Sequence, residues 1–130
     1  MSQNTIPPGQ ALLEKMANLP WREYPGHFGG ALSKELAGPG NTGSKRIDFR
    51  ISRYAPAAYV GEHVHKVQEQ IYYMLEGEGI LTLGDERHLM HPNDYVYVPP
   101  GIRHSISNTG TAGLVFLVIT TPASDDEEAQ

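Results

Sequence analysis

Two segments of the chain carry histidines in strand-like surroundings, and together they indicate the two halves of one metal site. The first segment, residues 61–79, contains His63 and His65 and continues into a strand pattern that ends at a glycine turn. The second segment, residues 93–108, contains His104 shortly after a Pro-Pro-Gly turn. Alternate residues of a strand share a face, so His63 and His65 are expected to point the same way. Two imidazoles on one face, with a third brought across a sheet, suit a borderline transition metal.

Short alternating runs separated by turn residues dominate the chain from residue 45 onward. Residues 46–54 alternate, which places Arg50 on one side of the predicted strand and Arg53 on the other. Residues 70–75 and 79–83 predict a hairpin, and further strands are predicted at 87–90, 95–98, 104–108 and 114–121. Short strands at this spacing favour an all-β sandwich or barrel over alternating strands and helices.

The N-terminal third is expected to pack on this β structure. Residues 10–19 carry leucine and methionine at helical spacing and are followed by Pro20, which predicts one short helix. Residues 28–36 predict a strand, and residues 38–44 a loop. The whole is predicted to be one domain. Its parts are an N-terminal helix, strand and loop (1–45), a barrel core (46–121) and a disordered acidic tail (122–130).

Composition narrows the function classes. The chain has no cysteine, so disulfides, thiolate ligands and cysteine nucleophiles are excluded. The net charge is −5 without a basic cluster, which argues against nucleic acid as a partner. No apolar run approaches a membrane span, and the first residues do not resemble a signal peptide. A cytoplasmic protein that does not bind membranes is therefore expected.

The order and spacing of the histidine segments resemble the two motifs of the cupin superfamily. The first cupin motif runs Gly, five residues, His-Xaa-His, three or four residues, Glu, six residues, Gly. His63, His65 and Gly77 match this pattern, whereas Ala57 stands at the position of the opening glycine.

The second cupin motif runs Gly, five residues, Pro-Xaa-Gly, two residues, His, three residues, Asn. Pro99, Gly101, His104 and Asn108 are in register with it. Asn93 replaces the first glycine, a small change because both residue types tolerate left-handed turn geometry. The resemblance covers residues 46–120 and implies a double-stranded β-helix, or jelly-roll barrel, with the site inside its mouth.

The fourth ligand is the main departure from the family pattern. Glu69 satisfies the spacing from the histidines, but only Gln70 also satisfies the spacing to Gly77. The resemblance therefore implies His63, His65, Gln70 and His104 as ligands of one divalent transition metal (Fe, Mn, Ni, Cu, Co or Zn), with Glu69 as the alternative to Gln70. A neutral set of three histidines and an amide leaves the metal charge uncompensated, which favours an anionic substrate or a bound hydroxide.

Other side chains are candidates for the pocket or for the frame around it. An inward-facing arginine could clamp a carboxylate, and Asn108 is expected to hold a turn at a strand end. The remaining histidines lack a partner at ligand spacing and are interpreted as surface residues: His27, His88 and His91. The candidate pocket residues are Tyr72, Met74, Ile106, Arg50 and Arg53.

The resemblance implies a metal-dependent enzyme on a small oxygen-rich molecule, with a dioxygenase-type oxidoreductase preferred. A lyase or isomerase of the uronate or sugar-acid type is one alternative. Uronate-processing cupins carry a carboxylate on the last strand, however, and residues 114–120 contain none. A non-enzymatic small-molecule or sugar-binding module is the other alternative. A homodimer is expected, in which residues 28–36 cover a sheet edge.

Overall fold

Ten strands form two antiparallel five-stranded sheets in the computed structural model, which describes residues 6, 7 and 9–126. The first sheet has the order β2-β3-β10-β5-β8 and the second β1-β4-β9-β6-β7. In chain order the strands are β1 (His27–Phe28), β2 (Ala31–Ala37), β3 (Asp48–Tyr54), β4 (Tyr59–Val60), β5 (Glu69–Glu76), β6 (Gly79–Leu83), β7 (Glu86–Met90), β8 (Tyr95–Val98), β9 (His104–Ser107) and β10 (Leu114–Thr121). The all-β jelly-roll architecture predicted from the sequence is confirmed.

Buried and exposed side chains alternate along β5, so that one face of the strand points into the barrel. Gln70, Tyr72 and Met74 are buried, whereas the residues between them face outward and are exposed. Inward side chains of the first sheet meet Leu81 and Ile106 of the second sheet in one apolar cluster. Burial of this shared cluster from two facing sheets is the main apolar contribution to stability.

The predicted helix over residues 10–19 is wrong. Only Met16–Asn18 forms a helical turn, and it is of the 3-10 type. Leu13 is 99% exposed and Met16 44%, so the apolar side chains of this segment do not find a surface to cover. A helix of about ten residues is marginal in water without tertiary packing, which explains why periodicity alone did not produce one here.

The strand predicted at residues 28–36 is broken into two edge strands. Gly29 and Gly30 both have positive φ angles, 76° and 94°, and they separate β1 from β2. β1 lies at the edge of the second sheet and β2 at the edge of the first. This segment therefore crosses from one sheet to the other at one side of the barrel.

Three glycine positions of the two cupin motifs have positive φ angles in this chain, whether or not glycine occupies them. Gly77 has a φ of 80°, and a Cβ atom there would collide with the carbonyl oxygen of Gly113. Asn93 has a φ of 72°, as its place in the second motif predicts. Ala57 also has a φ of 72°, so it adopts without glycine the conformation that glycine provides at this motif position.

Asn108 holds a turn, as predicted, rather than lining the cavity. Its side chain is 1% exposed and donates hydrogen bonds of 2.8 Å to the carbonyl oxygens of Tyr54 and Ala112. Its Oδ1 accepts a hydrogen bond of 2.9 Å from the backbone N–H of Gly110. The amide thus joins the end of β3 to the β9–β10 connection.

Asn108→Ala is expected to lower the free energy of unfolding by about 2 kcal/mol, because it leaves buried backbone groups without partners. Urea denaturation measures this change. The metal content of the folded variant should equal that of the wild type. A loss of metal without a loss of stability would contradict this structural role of Asn108.

The tail is ordered further than predicted. Ala123 donates a backbone hydrogen bond to Lys45 at 3.1 Å, and Asp125 accepts three backbone hydrogen bonds from residues 66–68. The prediction of disorder from residue 122 is therefore wrong up to Asp126, while residues 127–130 lie outside the described residues. Among residues 6, 7 and 9–126, no helix has the length and apolar character needed to cross a bilayer.

Candidate metal centre

Three histidines are brought together where the segment after β4 meets the start of β9. His63 and His104 form a two-way backbone bridge, with N–O distances of 3.0 and 2.9 Å. Gly101 donates its backbone N–H to the carbonyl oxygen of His65 at 2.8 Å, so the Pro-Pro-Gly turn is anchored beside the His-Val-His segment. The two motifs are thus joined directly by main-chain hydrogen bonds.

The imidazoles converge at metal-binding distance. One ring nitrogen from each of His63, His65 and His104 lies within 4.8 Å of the others. The Nδ1 atoms of His63 and His104 lie 2.8 and 2.9 Å from the carbonyl oxygens of Gly61 and Ile102. A carbonyl oxygen only accepts, so each Nδ1 carries the proton and each Nε2 keeps a free lone pair. Such outer hydrogen bonds orient metal-ligating histidines in proteins.

Two observations show that this cluster fits a cation. The Nε2 atom of His65 is buried without a hydrogen-bond partner, and a buried unsatisfied nitrogen is costly. The Nε2 atom of His104 lies 2.7 Å from Oε1 of Gln70, so two acceptors face each other when Nδ1 holds the only proton. Either the Gln70 amide turns its NH2 group toward His104, or a cation held by both groups would relieve the opposition of the two acceptors. Three nitrogens and an amide oxygen suit a divalent transition metal.

Burial favours the neutral form of His65 and His104, and the neutral imidazole is the form that binds metal. Burial lowers the pKa of His104 to about 4 from 6.5, and the nearby His63 and His65 add to this effect while the carbonyl of Ile102 opposes it. Burial, together with the neighbouring His63, also lowers the pKa of His65. Protons therefore compete weakly for these nitrogens near neutral pH.

The metal-free protein is expected to lose stability as the pH falls from about 6.5 to about 4. In this window the unfolded chain protonates His104 and the folded chain does not, so the free energy of unfolding decreases. Urea denaturation in the presence of a chelator, at about pH 7 and about pH 5, measures the effect. His104→Gln should show a shallower dependence; parallel curves would contradict the assignment.

Gln70 and Glu69 lie on opposite faces of β5. Gln70 is 9% exposed, donates from Nε2 to Thr120 at 3.0 Å and accepts a hydrogen bond from the Tyr72 hydroxyl, also at 3.0 Å. Glu69 is exposed and accepts a hydrogen bond of 3.3 Å from the Tyr97 hydroxyl. The local geometry therefore favours Gln70 over Glu69 as the group nearest the histidines.

A cavity of about 530 Å³ opens beside the histidines. Tyr72, Ile106 and Arg50 are among the residues that line it. Arg50 forms a two-point ion pair with Asp48, with N–O distances of 2.8 and 3.0 Å, and its guanidinium lies 4.1 Å from the ring of Tyr24. The cavity lining thus combines apolar and aromatic side chains with polar ones.

Two predicted pocket residues are placed elsewhere. Arg53 is exposed and does not line the cavity, and its guanidinium stacks on Trp21 at 4.6 Å. Met74 is completely buried in the apolar cluster and also does not line the cavity. Both predictions are wrong: Arg53 belongs to the outer face of β3, and Met74 lies deeper in the barrel than Tyr72.

Sequence reasoning missed several residues of the cavity wall, among them His27 and Asp125. His27, interpreted as a surface residue, lies on β1 with Nδ1 3.0 Å from the carbonyl oxygen of Pro25. Burial, followed by the charges of Arg50 and His63, lowers the pKa of His27. β1 has only two residues and is too short to show a periodic pattern in the sequence. The neighbouring glycines indicate an unusual backbone near His27, but they do not indicate that its side chain lines a cavity.

Comparison with known proteins agrees with this geometry. A family model described as Cupin domain matches residues 50–120. The chain is 37% identical over 68 residues to the uncharacterized protein MJ1618 of Methanocaldococcus jannaschii, covering 52% of this chain and 54% of that protein. It is 34% identical over 71 residues to an oxalate-binding protein of Thermotoga maritima, covering 55% and 59%. The chain thus spans somewhat more than half the length of these two curated relatives.

A solved structure has the same fold. The crystal structure of a predicted oxalate decarboxylase from Thermotoga maritima superposes with a TM-score of 0.77 at 24% identity, covering 85% of this chain and 99% of that chain. This likeness shows the fold alone. The family match spans more than half of the chain and includes all three clustered histidines and Gln70. The chain therefore belongs to the cupin family.

Proposed function

We propose that the chain is a metal-dependent enzyme that acts on a small, oxygen-rich anion. His63, His65, His104 and Gln70 hold one divalent transition metal, drawn from Fe, Mn, Ni, Cu, Co and Zn. The observation that carries this proposal is the set of three ring nitrogens within 4.8 Å of one another beside a cavity of about 530 Å³. A cavity of this volume suits a small molecule.

Charge is the argument for an anionic substrate. Three neutral imidazoles and one amide leave a bound divalent cation with its full charge. Asp48 neutralises Arg50, so the arginine contributes N–H donors to the cavity rather than a strong net charge. The attraction for an anion is therefore expected to come mainly from the metal, while Arg50 fixes the orientation of a carboxylate or hydroxyl oxygen.

The lining residues favour metal-centred oxygen chemistry over proton abstraction. A metal held here would polarise a substrate oxygen and, if redox-active, activate O2. The three carboxylates of the cavity wall all have partners: Asp48 pairs with Arg50, Glu62 with Arg103 at 3.4 Å, and Asp125 with backbone amides. These carboxylates are therefore poorly suited to act as a general base, which supports the dioxygenase preference.

A lyase or isomerase is the alternative enzyme class, and it would need a proton acceptor. His27 is the candidate among the described lining residues. The contact of Nδ1 with the carbonyl oxygen of Pro25 places the proton on Nδ1 and leaves Nε2 as an acceptor. His27→Gln should abolish a lyase or isomerase activity and leave an oxygen-consuming activity largely intact.

A binding module without catalysis is the second candidate function. It is favoured by the similarity to a protein named as oxalate-binding, which covers 55% of this chain. A carboxylate bound in the cavity, with Arg50 as a donor, would use part of the site of the proposed enzyme. Such a module would lack turnover and would not require stoichiometric metal.

Elemental analysis of the purified chain, followed by a screen of small carboxylates under air and under nitrogen, tests the proposal. About one equivalent of transition metal per chain and carboxylate-dependent O2 uptake would support a dioxygenase. Turnover that persists under nitrogen would support a lyase or isomerase. Calorimetric binding without turnover would support the binding module. A chain that does not retain added metal would contradict both enzyme classes and favour the binding module.

A homodimer and a cytoplasmic location stay predictions. The segment predicted to cover a sheet edge provides an edge strand in both sheets, β1 and β2. Light scattering at high protein concentration tests the dimer, since a monomeric mass would contradict it. Cell fractionation of the full-length protein tests the location.

A further inference from the structure

The carboxylate of Asp125 joins the C-terminal segment to the backbone that directly follows His65. Its Oδ2 accepts a hydrogen bond of 2.8 Å from the N–H of Lys66. Its Oδ1 accepts hydrogen bonds of 2.8 and 3.1 Å from the N–H groups of Val67 and Gln68. Gln68 in turn donates from its side chain to the carbonyl oxygen of Pro122 at 3.1 Å. Four hydrogen bonds therefore connect the two segments.

The same carboxylate faces the ring of His65. Oδ2 of Asp125 lies 3.8 Å from Nδ1 of His65, which is an electrostatic contact rather than a hydrogen bond. The other two histidines of the cluster have a backbone carbonyl at the equivalent nitrogen. Asp125 thus places a negative charge beside Nδ1 of His65, in the position that a backbone carbonyl occupies for His63 and His104.

We infer that Asp125 is a positioning residue for the metal centre, one that holds His65 in the orientation and protonation pattern needed for binding through Nε2. This inference rests on the proposed function. A negative charge beside Nδ1 favours the tautomer with hydrogen on Nδ1, which leaves the lone pair on Nε2. That Nε2 is the buried nitrogen without a hydrogen-bond partner.

The same contacts fix the position of the carboxylate, because its two oxygens share three backbone donors. Asp125 therefore anchors the backbone of residues 66–68 and holds a negative charge beside the ring of His65.

Two substitutions compare the effect of the charge beside His65 with the effect of the hydrogen bonds to residues 66–68. Asp125→Asn removes the charge and one of the two acceptor oxygens but keeps an amide oxygen for the N–H groups of Val67 and Gln68, whereas Asp125→Ala removes the charge and both acceptors. Glu86→Gln is the matched control, since it removes one negative charge from an exposed position on β7 at the edge of the second sheet. Circular dichroism of each metal-free variant establishes that it is folded.

Titration with Co²⁺, followed by its visible absorption, measures affinity and ligand geometry together. Loss of an outer partner of a ligating histidine weakens metal binding by about 10- to 100-fold. We expect a loss of about 10-fold for Asp125→Asn, a larger loss for Asp125→Ala, and an altered absorption band in both. Glu86→Gln should match the wild type in affinity and spectrum.

Hydrogen–deuterium exchange of the metal-free chain tests the loop independently of any metal. Exchange at the amides of residues 66–68 should accelerate in Asp125→Ala, and a wild-type exchange rate would overturn the anchoring role. Wild-type affinity and spectrum in both variants would overturn only the assignment of Asp125. A wild-type chain that does not bind Co²⁺ would instead overturn the proposed function, and this inference with it.

Discussion

Replacement of His65 or His104 by alanine is expected to remove nearly all bound metal. Each substitution deletes one of four ligands, and the loss of an outer partner alone already weakens such sites by 10- to 100-fold. We therefore expect the affinity to fall by more than about 100-fold in each variant. Equilibrium dialysis followed by elemental analysis measures the metal that remains.

The two positions give complementary tests. His65 is partly exposed, with 21% of its side chain accessible, so His65→Ala is expected to fold normally. His104 is 1% exposed, so His104→Ala leaves a cavity and needs a check of folding by circular dichroism. His88→Ala, at an exposed position on β7, controls for loss of an imidazole. Equal metal occupancy in the wild type and both site variants would contradict the site.

Much of the barrel could be predicted because its determinants are local. The motif spacing places Gln70 at the site, strand parity puts Tyr72 and Met74 on the same face, and the structure buries all three. The motif spacing places His63 and His104 on neighbouring segments, and a pair of backbone hydrogen bonds joins them. Period-two alternation and turn chemistry carry this information without knowledge of distant contacts.

What failed depends on contacts between residues far apart in the sequence. Alternation separated Arg50 from Arg53, but which face turns inward depends on the partner strands of β3, and Trp21 stacks with Arg53 on the outer face. The acidic tail has the composition of a solvated end, yet three amide donors 57 to 59 residues away order Asp125. The composition of the tail cannot predict these donors, because they belong to a distant part of the chain.

The helix predicted in the N-terminal segment failed for the opposite reason, because an expected tertiary contact is missing. The apolar spacing of this segment suits a helix, but a short helix gains most of its stability from a surface that it can cover. Leu13 and Met16 remain exposed, and only one 3-10 turn forms. Periodicity therefore states which face would be buried if a partner surface existed, and it does not establish that one exists.

Gln70→Ala is expected to weaken metal binding by about 100-fold, while Glu69→Ala leaves it close to that of the wild type. Gln70 Oε1 lies 2.7 Å from Nε2 of His104, whereas the Glu69 carboxylate is on the other face of β5 with Tyr97. In a metal-loaded crystal structure, Oε1 of Gln70 should lie roughly 2.0–2.3 Å from the metal. The same equilibrium dialysis measures both affinities, and Glu69→Ala is the matched control from the neighbouring position.

Gln70→Glu separates the role of the ligand from the role of its charge. It should keep or tighten metal binding, because it places a negative charge at the same position. It should nevertheless weaken binding of small carboxylates and alter any activity, because the added charge lowers the Lewis acidity of the metal and repels an anion. Tyr72 donates to Oε1 of Gln70 and can donate equally to a carboxylate, so the hydrogen bond at this position is retained. Metal loss in Glu69→Ala with none in Gln70→Ala would reverse the ligand assignment. It would restore a site of three histidines and a glutamate, and would remove the charge argument for an anionic substrate.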